Sequence, residues 1–188
     1  MWSLSAGYVL VGGRSTRMGR DKALLEWRNP RDAPNESIAL AGHVAKIVEV
    51  AAGSVTLVGD PDHYGHLGFP VVDDLHPGLG PLSGIEAALS HTAADWNLIV
   101  ACDLPNLDPG FLRMLLNRKE NVVASDSNGP ALCGVLHRDV RSAVAQVVGS
   151  GQLSWNGFLD RIGAVRVPAA SPKILANINT PQDLVTHE

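Results

Sequence analysis

Apolar positions along the chain change periodicity repeatedly, and this alternation predicts strands and helices in turn. Short apolar runs bounded by glycine, proline or polar residues are typical of buried strands. Such runs occupy residues 7–11, 55–58, 70–73, 97–101, 122–125, 131–137 and 164–167. Apolar residues recur at helical spacing, or follow a helix-start signal, over residues 37–51, 84–91, 108–118, 139–148 and 153–162, and a short helix is predicted after Thr180.

Strands that alternate with helices predict an α/β fold with a mostly parallel, Rossmann-like sheet and helices on both faces. A chain of 188 residues is long enough for one such domain, so we expect a single domain over residues 1–188. Residues 29–36 predict a polar loop and residues 78–84 a glycine-rich one. Because open parallel sheets bind ligands at the carboxyl ends of their strands, the residues that follow those strands are the candidate site.

The segment that follows the first strand, residues 10–22, combines glycines with cationic side chains. Gly12 and Gly13 allow the backbone to approach an anion closely, while Arg17 and Lys22 can neutralise a polyphosphate. The spacing matches neither of the two common phosphate-binding glycine motifs. A basic surface turn is the alternative interpretation. Asp21 either orients Lys22 or starts a helix.

Carboxylates follow two other strands at the same predicted edge. Asp73 and Asp74 come after the apolar residues 70–72, and Asp103 follows the run at 97–101. Carboxylates beside cations at a phosphate site predict Mg²⁺, which takes one or two protein carboxylates and completes its shell with phosphate oxygens and water. Alternatively, Asp103 forms an Asx turn before Pro105 or a helix cap after the strand. No Ser–His nucleophile pair is evident, so we predict catalysis by positioning and electrostatics, as in phosphoryl-type transfer.

Composition excludes several functional classes. The formal net charge of −4 gives no overall attraction to nucleic acid or to an anionic membrane, and no apolar run is long enough to span a bilayer. Cys102 and Cys133 lie in apolar runs and are predicted to be separate buried thiols, in keeping with a cytoplasmic compartment. His63 and His66 are the only close histidine pair, and we do not predict a metal site there.

Residues 10–25 resemble the G-G-x-S-x-R-M-G-x-D-K signature of the molybdenum cofactor guanylyltransferases. Residues 74–85 resemble the family's D-x-x-P-G-x-G-P-L-x-G segment, and residues 100–105 its metal-binding C-D-x-P segment. Residues 177–184 are similar to its N-x-N-T-P-x-D-L segment, and residues 129–136 to the strand on the pterin side of the site. The resemblance covers nearly the whole chain and implies a fold like that of the nucleotide-diphospho-sugar transferases.

The resemblance implies transfer of GMP from the Mg²⁺ complex of GTP to molybdopterin or Mo-molybdopterin, with release of pyrophosphate. It implies catalytic roles for Arg17, Lys22 and Asp103, the last also as the metal ligand. Acceptor-binding roles are implied for Asn177 and Asn179, which alternatively hold the turn before the C-terminal helix. The nucleotide-binding residues implied are Leu10, Val11, Gly12, Gly13, Lys22, Asp74, Pro81, Leu82 and Asp103, with Asp73 as the alternative to Asp74.

Three departures from the family pattern are visible. Val11 stands where the family usually has alanine, residues 28–37 form a longer connection than expected, and Gly59 with Asp60 replaces a small residue followed by asparagine. None of them removes a charged group that the mechanism needs.

Other functions stay open at this stage. A transferase that uses CTP on the same cofactor is the nearest, and Gly13 with residues 80–82 favours the guanine-using branch. An enzyme that activates a sugar or alcohol phosphate is another. A non-catalytic chaperone that binds nucleotide or pterin is the third, and the cationic and acidic site residues argue against it. As partners we expect proteins that donate molybdopterin or mature molybdoenzymes, and we expect the chain to be a monomer.

Overall fold

The computed structural model describes residues 5–12, 21–28 and 37–178. Its strands are β1 (Ser5–Leu10), β2 (Glu26–Trp27), β3 (Ile38–Ala39), β4 (Thr56–Val58), β5 (Val71–Val72), β6 (Trp96–Ala101), β7 (Val122–Asp126), β8 (Gly129–His137) and β9 (Val165–Pro168). Its α-helices are α1 (Leu40–Ala52), α2 (Pro61–Tyr64), α3 (Pro81–His91), α4 (Pro109–Asn117), α5 (Arg141–Gly149) and α6 (Trp155–Arg161).

Seven strands form one sheet in the order β5-β4-β1-β6-β8-β7-β9, and β2 pairs with β3 separately. Every neighbouring pair on the β5 to β6 side is parallel, as is the pair β7 and β9. Only β8 among the strands of this sheet runs the other way, antiparallel to both β6 and β7. The carboxyl ends of six strands and the amino end of β8 therefore meet at one edge, which we call the carboxyl edge.

Helices cover both faces of this sheet. On one face Val44 of α1 and Leu115 of α4 pack with Val9, in the larger cluster of buried apolar residues. On the other face Ile85 of α3 and Phe158 of α6 pack with Tyr8 and Leu10. Successive residues of β1 thus enter opposite cores, as the two-residue period of a strand requires. This arrangement confirms the predicted α/β class with a mostly parallel sheet.

Side-chain caps start several helices. Asp108 accepts a hydrogen bond from the Phe111 N–H at 2.7 Å, with Pro109 in the first turn of α4, which confirms the start predicted from this pair. Asp60 caps α2 by accepting from the Asp62 N–H at 2.9 Å. This four-residue helix was not predicted, because it is too short to show an apolar period.

Two predicted boundaries differ from the structure by three residues or more. The helix assigned to residues 37–51 begins at Leu40, because Ile38 and Ala39 instead pair as a strand with residues 26–27. The glycine-rich loop assigned to residues 78–84 ends at Gly80, whose φ of 87° turns the chain into α3 at Pro81. Proline suits the first helical position, because the N–H that it lacks would have no hydrogen-bond partner within the helix there. The predicted loop at 29–36 and the predicted C-terminal helix lie outside the described residues.

Both cysteines are free thiols, and burial was predicted for each. Cys133 is fully buried and Cys102 partly buried. Burial raises the pKa of Cys133 to about 12. Over the described part of the chain, no helix is both long and apolar enough to cross a membrane.

Candidate active site

The loops that follow β1 and β6 lie side by side at the carboxyl edge. Leu10 and Ala101 are partners in the parallel register, and the Cys102 N–H continues the pairing by donating to the Leu10 carbonyl at 3.2 Å. A cavity of about 220 Å³ opens there, which we call the phosphate cavity. The predicted site residues that line it are Leu10, Val11, Gly12, Lys22, Pro81 and Asp103.

An ion pair lies at the wall of the phosphate cavity. Lys22 Nζ is 3.7 Å from Asp103 Oδ2, and both side chains are about a fifth exposed, at 23% and 20%. Burial raises the pKa of Asp103 above its ordinary value, and the Lys22 ammonium opposes that shift. A second cation at this carboxylate would oppose it further, because a nearby positive charge favours the ionised form.

Lys22 is the first residue of a short turn of 3₁₀ helix, Lys22–Leu24, and Asp21 is its N-cap. The Asp21 carboxylate accepts from the Ala23 N–H at 2.9 Å, which is the cap of this turn. Its other oxygen lies 2.7 Å from the Tyr64 hydroxyl and 2.9 Å from His63 Nε2. Asp21 therefore starts the helical turn, which is one of the two interpretations of the sequence.

A larger cavity of about 630 Å³ adjoins the phosphate cavity, and we call it the acidic cavity. The two share Gly12, Asp21 and Gly80 as lining residues. The acidic cavity is also lined by Gly59, Asp60, His63, Tyr64, Asp73, Asp74, Pro77 and Gly78. The sequence predicted Asp73 and Asp74 at this edge, but it did not identify His63 and Tyr64 as site residues. Their signal was weak, because they follow β4 on a helix too short to predict.

Asp74 is held more firmly than Asp73. Its Oδ1 is hydrogen-bonded by the Ser83 hydroxyl and by the His76 N–H, the latter at 3.0 Å. Ser83 is completely buried near the start of α3, so this contact fixes the carboxylate to the helix. The other oxygen of Asp74 is 3.9 Å from the position that a Cβ would take on Gly12. Asp74 thus faces the backbone of the first loop across the acidic cavity.

Two predicted nucleotide contacts differ in exposure. Pro81 is exposed and lines the phosphate cavity, whereas Leu82 is completely buried in the apolar core beside Ile85. The Leu82 side chain is therefore committed to packing, and any contact of this residue with a ligand falls to its backbone.

The bulk of Val11 is accommodated inside the fold. Val11 is 3% exposed and belongs to the larger core cluster. A Cβ on Gly59 would lie only 2.8 Å from Val11 Cγ2. The larger residue at 11 and the glycine at 59, both departures from the family pattern, therefore fit one another sterically. The backbone of Val11 keeps its place, since its N–H donates to the Val58 carbonyl at 3.0 Å.

Asn177 lies at a separate cavity of about 620 Å³, which we call the turn cavity because it is lined by the β7–β8 turn and residues 172–177. The next residue, Ile178, donates its N–H to the Asp103 carbonyl at 2.9 Å, which holds this segment beside the ion pair. The acceptor-binding role of Asn177 stays a prediction. Gly13, Arg17 and Asn179 lie outside the described residues.

Residues 7–164 match the family described as the MobA-like NTP transferase domain. The chain belongs to this family. It is 33% identical to a probable molybdenum cofactor guanylyltransferase of Pelotomaculum thermopropionicum, over 96% of this chain and 90% of that protein. It is 28% identical to a molybdenum cofactor guanylyltransferase of Yersinia pestis, over 94% and 91% of the two chains.

Among solved structures, molybdopterin-guanine dinucleotide biosynthesis protein A of Archaeoglobus fulgidus superposes with a TM-score of 0.79. It is 22% identical, and the match covers 97% of this chain and 96% of that one. This likeness shows the fold. Family membership makes the chain a nucleotidyltransferase and confirms both the resemblance and the enzyme class expected from the sequence.

Proposed function

We propose that this protein transfers GMP from GTP to molybdopterin, forming the guanine dinucleotide cofactor and releasing pyrophosphate. Residues 1–188 would act as one nucleotidyltransferase domain, a monomer of the cytoplasm. The observation that carries the proposal is the Lys22–Asp103 pair at the carboxyl edge, in the wall of a cavity that also contains the Gly12 backbone. The names of the relatives support the choice of GTP and molybdopterin as substrates.

The nucleotide would occupy the two adjoining cavities. Ligand cavities for small molecules are typically about 300–1,000 Å³, and the acidic cavity of about 630 Å³ falls in this range. The triphosphate would lie against Lys22, with Arg17 and the backbone of Gly13 as further contacts. Guanosine would extend toward Asp74 and residues 80–82.

The donor set at Asp103 fits a divalent cation held mainly by the substrate. No group of three or more potential metal-ligating side chains occurs within the described ranges. Mg²⁺ suits such a site, because it is usually bound by one or two carboxylates while substrate phosphates and water fill the rest of its shell. Asp103 would be the protein ligand. The ion would supply neutralisation of the charge that develops on the phosphates.

Transfer would proceed by attack of the acceptor's terminal phosphate oxygen on the α-phosphorus of GTP. The bond from the α-phosphorus to the bridging oxygen breaks as the new bond forms, and pyrophosphate leaves. Lys22 would lower the repulsion between the two anions, and a fixed cation is effective because it needs no reorganisation during the reaction. Asn177 and Asn179 would hold the acceptor, beside the segment that Ile178 ties to Asp103.

The test is pyrophosphate release with GTP, Mg²⁺ and molybdopterin. We expect release only when all three are present, and a loss of at least about a hundredfold in Lys22→Ala, the size typical for removal of a charged transition-state contact. Lys46→Ala is the matched control, because Lys46 is exposed on α1. Faster turnover with CTP would identify the cytidylyltransferase instead. Tight GTP binding without turnover would favour the chaperone.

A further inference from the structure

Tyr64 connects two segments of the nucleotide site that are distant along the chain. Its side chain is only 5% exposed, at the end of α2. Its hydroxyl oxygen is 2.8 Å from the carbonyl oxygen of Val11, which directly follows β1. The same oxygen is 2.7 Å from Asp21 Oδ2, which directly precedes Lys22. One phenol therefore contacts both the end of the first strand and the start of the turn that carries the site lysine.

The hydrogen of this phenol is shared between two acceptors. Burial is the main reason that the pKa of Tyr64 lies well above its ordinary value, and the Asp21 carboxylate raises it further, so the hydroxyl remains a donor. A tyrosine hydroxyl has one proton, while the Val11 carbonyl and the Asp21 carboxylate both lie within hydrogen-bond distance. The single hydrogen lies within reach of both acceptors, so the phenol holds the Val11 carbonyl and the Asp21 carboxylate close to the same oxygen.

The aromatic ring is held as closely as its hydroxyl. A Cβ on Gly59 would lie 2.9 Å from Tyr64 Cε2, so the absence of a side chain at 59 makes room for the ring. His63 packs against the ring edge-to-face, with centroids 4.7 Å apart and planes at 82°. His63 also contacts Asp21 on its own account, at 2.9 Å. The ring cannot turn away without disturbing several neighbours.

We propose that Tyr64 is a positioning residue of the nucleotide site, whose hydroxyl fixes Asp21, and with it the turn that presents Lys22 to the substrate phosphates, relative to the end of β1. Tyr64 acts through Asp21 and needs no contact with reacting atoms. The binding that depends on this role is that of the polyphosphate of a nucleoside triphosphate. The identification of that nucleotide as GTP rests on the proposed function.

Tyr64→Phe tests this role, and Tyr8→Phe is its matched control. Tyr8 is also buried, and its hydroxyl interacts with the side chain of Thr92, away from the nucleotide site. Affinity for inorganic tripolyphosphate is measured by calorimetry, and KM and kcat with GTP by pyrophosphate release. We expect Tyr64→Phe to weaken tripolyphosphate binding and to raise KM by about tenfold, the size of one lost hydrogen bond to a charged group. The value of kcat should change less, and Tyr8→Phe should alter none of these quantities.

A double variant tests whether Tyr64 works through Asp21. If Tyr64 acts through Asp21, Tyr64→Phe should have no further effect on tripolyphosphate binding when it is made in the Asp21→Asn background, whatever the direct effect of removing the Asp21 charge. Fully multiplied effects would overturn the proposal. So would tripolyphosphate affinity within twofold of wild type in Tyr64→Phe, or an equal loss in Tyr8→Phe. The binding assay needs no acceptor and no base, so failure of GMP transfer leaves this comparison intact and is recognised separately.

Discussion

Gly12 and Gly59 lie next to each other where β1 and β4 end, and alanine at the two positions should change stability in opposite directions. At Gly12 an added Cβ would lie 3.9 Å from Asp74 Oδ2, 3.9 Å from Gly59 Cα and 4.0 Å from the Val58 carbonyl oxygen, all ordinary contacts. Its φ angle lies outside the left-handed region. Alanine should therefore be accommodated and should stabilise the fold by about 0.4–1 kcal/mol, by restricting the unfolded chain.

Gly59→Ala meets a different environment. Its Cβ would lie 2.8 Å from Val11 Cγ2 and 2.9 Å from Tyr64 Cε2, distances that force both side chains to move. Overpacking of this kind typically costs about 1–3 kcal/mol. For a chain of this length about 1 kcal/mol shifts the melting temperature by about 2–4 °C. We expect melting to rise by about 1–4 °C in Gly12→Ala and to fall by about 2–12 °C in Gly59→Ala.

Activity should fall in both variants despite the opposite changes in stability. A methyl group on Gly12 enters the lining that the two cavities share, so KM for GTP should rise by about tenfold or more. Gly59→Ala should raise KM by displacing Tyr64. Gly149→Ala is the control, since a Cβ there meets nothing within 4 Å, and it should leave KM unchanged. Thermal unfolding and pyrophosphate release measure these effects. Lower stability in Gly12→Ala, or wild-type stability in Gly59→Ala, would refute the steric reasoning.

Three further variants test the remaining site chemistry and one buried thiol. Asp103→Asn should reduce Mg²⁺-dependent pyrophosphate release by about a hundredfold or more. The melting temperature should stay within about 3 °C of wild type, because the amide relieves the burial of a charge but loses the ion pair with Lys22. Retained turnover would exclude Asp103 as the metal ligand. Ser83→Ala should raise KM for GTP several-fold by releasing Asp74, and an unchanged KM would show that this hydrogen bond is dispensable. Burial raises the pKa of Cys133 from 9.0 to about 12. Above about pH 9 the unfolded chain therefore loses the thiol proton while the native state keeps it, and the free energy of unfolding falls as the pH rises. Cys133→Ala should therefore show a shallower fall in melting temperature than wild type between about pH 9 and pH 11. An equally steep fall would contradict the raised pKa of this thiol.

The sequence predicted the elements whose signal is local. The strand at 97–101 and the helix that starts at Asp108 were recognised because an apolar run and an Asp-Pro cap are visible without tertiary context. The predicted convergence of the first loop with Asp103 followed from the general rule for parallel sheets. The structure brings Lys22 to 3.7 Å from that carboxylate.

The parts that could not be predicted depend on contacts between distant residues. Ile38 and Ala39 form a strand only because residues 26–27 lie beside them, which overrides their helical pattern. The reversed direction of β8 is likewise invisible in its composition, since a buried strand is apolar in either direction. Tyr64 gave no signal as a site residue because its partners Val11 and Asp21 are far away along the chain.

The reversal of β8 also sets the distance between two parts of the proposed site. Because this strand begins at the carboxyl edge, the β7–β8 turn lies at the same edge as Asp103, with β8 between β6 and β7. β8 lies directly beside β6, but it begins four residues before Cys133, the partner of Val100. At about 3.4 Å per residue the turn therefore extends about 14 Å beyond Val100. Under the proposed function, an acceptor held at the turn cavity would carry its phosphate from the tip of β8 back to Asp103, the proposed metal ligand. The extension of β8 past β6 would thereby select substrates by length as well as by chemistry.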